Sequence, residues 1–144
     1  MHRRPLGRGR SLAVVSALVI VVGSLLPWYT AGGAAGQIPA RSVNAFDDLA
    51  GLLVFLVALA VLALVALPYA AGDRPVGVDR WLSYLLLLLA GGAGIALSAL
   101  NLVTANLPLD GFRPDLAPGM WVAGLGLAGL ARAVYEIARE PERR

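Results

Sequence analysis

The sequence predicts an all-α protein: a transmembrane four-helix bundle with both termini cytoplasmic. Three observations lead there. Hydrophobic types make up 58% of the 144 residues and charged types 15%, with a mean hydropathy of +0.74. A water-soluble body this small cannot bury that much apolar surface, and a disordered chain carries far less of it. Four apolar runs, 12–29, 49–70, 81–103 and 120–137, are each long enough to cross a bilayer. At ~1.5 Å per residue they match a hydrocarbon core of ~30 Å. Finally, the 12 cationic residues are all Arg and divide 10 to 2 between the alternate sides of these spans. Arg3, Arg4, Arg8, Arg10, Arg74, Arg80, Arg132, Arg139, Arg143 and Arg144 fall on one side, and Arg41 and Arg113 on the other. Such an excess over short segments marks the cytoplasmic face. The basic character is therefore read as topology and attraction to anionic headgroups, not as a nucleic-acid footprint.

The chain opens on a basic tail, 1–11, that Pro5, Gly7 and Gly9 keep irregular. The first span runs from Leu12 to Tyr29, with Pro27 placed to end or kink it. A basic region, an apolar run and the small residues Ala31 to Ala35 also fit a cleaved signal, although Pro27-Trp28-Tyr29 is bulky for a cleavage region. Cleavage would leave three spans in the same orientation. The stretch Thr30 to Ala40 reads as an irregular outer loop. Asn44, with Asp47 three residues on and Asp48 beside it, reads as the cap of the second helix.

The second span holds thirteen Leu, Val or Phe residues between Leu49 and Leu67. At the helix centre they favour insertion by ~4–8 kcal/mol, with no charge opposing it. Pro68 and Gly72 close this span, and Asp79 caps the third. Pro118 suits the first turn of the fourth, and Pro141 follows its end, after Arg132/Glu136 and Glu136/Arg139 pairs. A short charged tail, 138–144, completes the chain.

Aromatic residues sit at span ends, where amphipathic rings prefer headgroup level. Trp28, Tyr29, Phe46, Phe112 and Trp121 fall at the outer interface, and Tyr69, Trp81, Tyr84 and Tyr135 at the inner one. Small residues recur at intervals of four on the third span, Ala90, Gly94 and Ser98, and on the fourth, Gly124 and Ala128 beside Gly119 and Ala123. Such spacing lets helices approach closely. The expected use is packing of spans three and four within one subunit; the alternative is a dimer or docking face.

Candidate chemistry is sparse. With no Cys, thiol catalysis and zinc–thiolate sites are excluded. The single His2 lies in the basic tail. Apart from Glu136, next to the inner end of the fourth, no Asp, Glu or Lys lies within a span, which counts against a proton-coupled transporter and against small multidrug antiporters that need a carboxylate in their first span. Asp47 and Asp48 read as helix-capping groups, or as an outward-opening cation or proton site with Asp110 or Asp115. Asn101, Thr104 and Asn106 read as interfacial caps or one wall of a small cleft. The candidate outer interaction layer is Trp28, Tyr29, Asp47, Asp48, Asn101, Asn106 and Trp121, and no catalytic, cofactor-binding or metal-ligating residue is assigned.

Three local patterns carry a resemblance: Leu26-Pro27-Trp28-Tyr29 ending the first span, Asn44-Ala45-Phe46-Asp47 before the second, and Pro118-Gly119-Met120-Trp121 with Gly124 opening the fourth. With the four-span layout they resemble small integral membrane proteins of actinobacteria, an origin that abundant Arg, Ala and Gly also suits. The resemblance supplies no catalytic residues. A likeness to claudins in the two outer loops fails on their missing Cys pair.

The function expected is that of a non-enzymatic protein of the bacterial cytoplasmic membrane, acting as a partner subunit, assembly factor or envelope component. The alternatives are a subunit of an oligomeric transporter or channel, and a lipid-active enzyme using outer-layer Asp and Asn. The expected partners are membrane lipid and another membrane protein or a second copy, without nucleic acid and without a cofactor.

Overall fold

A computed structural model describes residues 7–31, 41–70, 81–106 and 115–140. Four helices dominate: α1 (Arg8–Leu25), α2 (Leu49–Ala70), α3 (Trp81–Asn106) and α4 (Pro118–Arg139). Each is long and apolar enough to cross a membrane. Each packs on two neighbours, α1 on α2, α2 on α3, α3 on α4, and α4 back on α1, where the contact is most extensive.

The helix ends have local causes. α1 stops at Leu25 because Leu26 adopts an extended conformation, φ −73° and ψ 154°, as the residue before a proline prefers. Trp28 and Tyr29 thus leave the helix, and α1 gains a turn at its other end by starting at Arg8. Pro68 lies inside α2 and does not end it. α4 begins at Pro118, whose fixed φ and missing N–H suit a first helical turn.

The α1–α4 contact is made by small residues. Gly9, Ala13, Ser16, Ala17, Ile20 and Gly23 of α1 are buried, as are Ala123, Gly126, Leu130 and Ile137 of α4. The helices run antiparallel: Gly23 lies against Ala123, Ile20 against Gly126, and Gly9 against Ile137. At Gly126 a β-carbon would stand 2.9 Å from the Ile20 nitrogen and 3.0 Å from the Ser16 carbonyl oxygen. Backbones this close gain van der Waals contact along their length, the main source of helix association in lipid. Buried Ser24 donates to the Ile20 carbonyl at 2.9 Å, leaving no polar cost there.

A feature absent from the helical expectation joins α1, α2 and α4 at one end. Three short strands, β1 (Tyr29–Ala31), β2 (Arg41–Val43) and β3 (Asp115–Leu116), form a sheet in the order β2-β1-β3, antiparallel throughout. The stretch read as an irregular outer loop therefore begins in paired strand at Thr30 and Ala31, and a second strand starts at Arg41, just past it. At the opposite end α1 starts beside the finish of α4: Glu140 touches Gly7, and its carboxylate lies 3.9 Å from Arg10. α1 has no acidic residue in its first turn and no side-chain cap. Glu140 supplies the negative charge that the helix N-terminus favours.

Large apolar side chains cover the outside. Val15, Leu18, Val22, Leu56, Leu86, Leu89, Leu97, Leu100 and Leu125 are all exposed. A monomer in water rarely shows so continuous an apolar girdle.

Candidate functional site at the sheet end

The three sequence patterns singled out above converge at the sheet end. Leu26-Pro27-Trp28-Tyr29 runs from α1 into the central strand. Trp28 donates its backbone N–H to the Val43 carbonyl at 2.7 Å and accepts from Ala117 at 3.0 Å, so it bridges both flanking segments. Its indole donates to the Gly23 carbonyl at 2.9 Å, one of the carbonyls the end of α1 leaves open. Gly119 donates to the Pro27 carbonyl at 2.9 Å, satisfying a free donor in the first turn of α4. A β-carbon there would stand 2.6 Å from the Leu26 carbonyl oxygen and 2.7 Å from the Trp28 ring. Only glycine allows that approach.

Asn44 opens a 3-10 turn, Ala45–Asp47, through a capping box. Its side chain accepts from the Phe46 N–H at 2.9 Å, and Asp47 accepts from the Asn44 N–H at 3.0 Å. Asn44 and Asp47 thus cap this turn and not α2 itself. The turn packs on α2 at Gly51, where a β-carbon would stand 2.8 Å from the Ala45 α-carbon. Phe46 meets Phe55 edge-on, ring centroids 4.9 Å apart.

The neighbouring carboxylates take separate partners. Asp47 faces Arg41 at 3.5 Å in an exposed pair, worth little in water. Asp48 accepts from Ser98 of α3 at 2.7 Å. Ser98, expected as a small packing residue, thus ties α3 to the head of α2. Tyr29 lies close enough to feel both. Burial first, then the Asp48 and Asp47 charges, push its hydroxyl above the ordinary value of 10.0, and Arg41 partly opposes them.

That shift has a sign in pH. A folded pKa above the unfolded one contributes stability that is intact below pH 10 and lost as pH rises through the folded value. Alkaline unfolding of the native chain is therefore expected to begin above pH 10 and to be shallower in Tyr29→Phe, as followed by helical circular dichroism. Identical alkaline limbs would remove Tyr29 from this account.

Between α2 and α3, beside this cluster, runs a groove of about 490 Å³ lined by Leu49, Ala50, Leu52, Leu53, Leu56 and Leu97. Asp48 and Asn101 supply its polar lining.

The expected interaction layer is thus divided. Tyr29, Asp47 and Asp48 come together, and Asn101 joins Asp48 at the groove. Trp28 does not belong to an exposed face: it is 2% exposed and plugs the core, because its indole has a backbone acceptor waiting inside. Trp121 is 66% exposed, on α4. The side chain of Asn106, and His2, Asp110 and Phe112, lie outside the described residues. The side chain of Asp115 does too.

The expected packing face is divided in the same way. Gly94 and Ser98 are buried and Ala90 half-buried, with Gly94 against Val54 and the Ala50 carbonyl of α2. Gly124 faces open space and Ala128 is exposed, so neither packs α4 within the subunit. The working register on α4 is that of Gly119 and Ala123, and its main partner is α1, not α3. Small residues four apart on α1, Gly9, Ala13 and Ala17, were the available signal. Tyr84, expected at an interface, is fully buried. Arg132 pairs with Glu136, while Arg139 stacks on Tyr135 with its guanidinium 4.1 Å from the ring centre.

Among the described residues no group of three or more His, Asp or Glu is placed to hold a metal. The arrangement defines a class: a small bundle of four helices, each long and apolar enough to cross a membrane, with a three-stranded sheet at one end. No protein-family model matches the chain, and no curated protein sequence matches it.

Proposed function

We propose that this is a multi-pass protein of a bacterial cytoplasmic membrane, with both termini in the cytoplasm, serving as a partner subunit in a membrane complex and not as a catalyst. The four apolar helices support membrane residence. The arginine asymmetry supports the orientation, and the start of α1 beside the end of α4 is consistent with it. The resemblance to small actinobacterial membrane proteins supports the setting.

One observation carries the partner reading. In α3, 17% of the apolar stretch is buried, against 33% to 39% in the other three helices. Its groove with α2 is open along Leu53, Leu56 and Leu97, with Asp48 and Asn101 available to orient a polar group. Small residues on the same helix, Gly92, Ala93 and Ala96, leave room for a second backbone beside it.

The test is site-specific photocrosslinking in native membranes. A photoreactive residue at Leu97 is expected to yield a discrete protein adduct, while one at Val15 on α1 yields lipid adducts. Lipid adducts alone at both positions would overturn the partner reading.

A further inference from the structure

The two walls of the bundle differ in apolar height. Exposed apolar side chains on α2 run from Leu49 to Tyr69, and on α3 from Leu82 to Val103. Each covers ~30 Å along its helix. On α1 they run from Val15 to Leu25, and on α4 from Trp121 through Leu125 and Ala128 to Ala131. Up to the first exposed Ser or Arg those stretches cover only ~15 Å, and on α4 Tyr135 and Ala138 follow beyond Arg132. Beyond them, toward the end where α1 starts and α4 finishes, the exposed positions are Arg8 and Ser11 on α1, and Arg132, Tyr135, Ala138 and Arg139 on α4. Arg132 lies seven residues before Arg139, which places it ~10 Å inside that end of the helix.

A hydrocarbon layer of ~30 Å that covers the α2–α3 wall therefore meets charge on the α1–α4 wall. Bilayers meet such a mismatch by thinning locally, and long cationic side chains meet it by reaching toward headgroups.

The charges are arranged around one ring. Arg132 donates to Glu136 at 2.6 Å, and its side chain is 62% exposed. The guanidinium groups of Arg132 and Arg139 lie 5.3 Å and 4.1 Å from the centre of the Tyr135 ring. Among the described residues at this end, Arg8, Arg10, Arg132 and Arg139 against Glu136 and Glu140 leave positive charge in surplus. The bond to Glu136 leaves most of the guanidinium's donors free. A phosphodiester carries one negative charge and suits the guanidinium fork.

We propose that Arg132, Tyr135 and Arg139 hold the phosphodiester headgroup of a membrane phospholipid at a depth occupied by acyl chains on the α2–α3 wall, so that the bilayer thins beside α1 and α4. This rests on the membrane reading above, and the experiment separates the two.

The full chain is reconstituted in nanodiscs of phosphatidylcholine and phosphatidylglycerol. It contains no Cys, so a spin label at Ala131→Cys, and another at Ala63→Cys at matching depth on α2, report each wall alone. The Ala131 label is expected to collide with a water-soluble nickel chelate, and the Ala63 label with dissolved oxygen. Native mass spectrometry is expected to show one retained phosphatidylglycerol, and Arg132→Gln with Arg139→Gln to lower that retention about tenfold, as loss of charge-assisted hydrogen bonds implies. Oxygen-rich surroundings at both labels, or unchanged lipid retention in the double variant, would overturn the proposal. Nickel access at Ala63 as well would overturn the membrane reading, and the proposal with it.

Discussion

Gly23→Leu is expected to destabilise the bundle by ~3 kcal/mol, because it forces a side chain into a backbone-to-backbone contact. A β-carbon at Gly23 would meet the Ala123 nitrogen, and would stand 2.8 Å from the Ala123 α-carbon. No flexible side chain is there to move aside; the helices themselves must separate. Separation forfeits contact along Gly9, Ile20 and Gly126 as well, since these share one antiparallel seam. Gly124→Leu is the matched control, with nothing within 4 Å of the added carbon, and it is expected to change stability by less than ~0.5 kcal/mol. Titration with sodium dodecyl sulfate from a mild detergent, followed by helical circular dichroism, measures both. Equal losses from the two leucines would mean that the seam does not hold the bundle together.

Trp28→Ala is the second large effect, expected at ~3–5 kcal/mol for the loss of a buried indole. The residue is 2% exposed and sits where α1, the central strand and the start of α4 meet. Its backbone bonds to Val43 and from Ala117 survive the change. What is lost is the ring against Gly119 and the indole bond to Gly23. Trp28→Phe keeps most of the ring and gives up the hydrogen bond, so ~1 kcal/mol is expected. Trp121→Ala removes an exposed ring and should stay within ~0.5 kcal/mol. The same detergent titration ranks the three. A Trp28→Ala loss no larger than that of Trp121→Ala would contradict the core position of Trp28.

How far the site was legible in the sequence depends on the range of the interaction. Asn44 and Asp47 lie three residues apart, and their capping box forms within that span, although it caps a 3-10 turn and not the long helix. Pro27 ends α1 through its own geometry and that of Leu26. Asp48 and Ser98 lie fifty positions apart, and neither residue type announces the other. Trp28 illustrates the difficulty most directly. Its place at a span end fits an interfacial anchor as well as a core plug; the Gly23 carbonyl lies only five residues back, but Gly119, which closes over the ring, comes from the fourth helix. Gly124 and Gly119 are alike in type and both lie in four-residue registers. The surface each meets separates them: open space for one and the Leu26 carbonyl for the other.

Sequence alone determined the four apolar helices, because transfer of apolar side chains depends on composition along a contiguous run and on little else. It also determined the partition of arginine between alternate segments. Tertiary structure decided that α4 packs chiefly on α1, through Ala123 and Gly126, with Gly119 against the Leu26-Pro27 turn. It decided that three short strands close one end, and that α2 and α3 expose about twice the apolar height that α1 and α4 show before their first exposed Ser or Arg. Those outcomes depend on which surfaces meet across long loops, and a close backbone approach is favourable only when both partners present small residues at the same level.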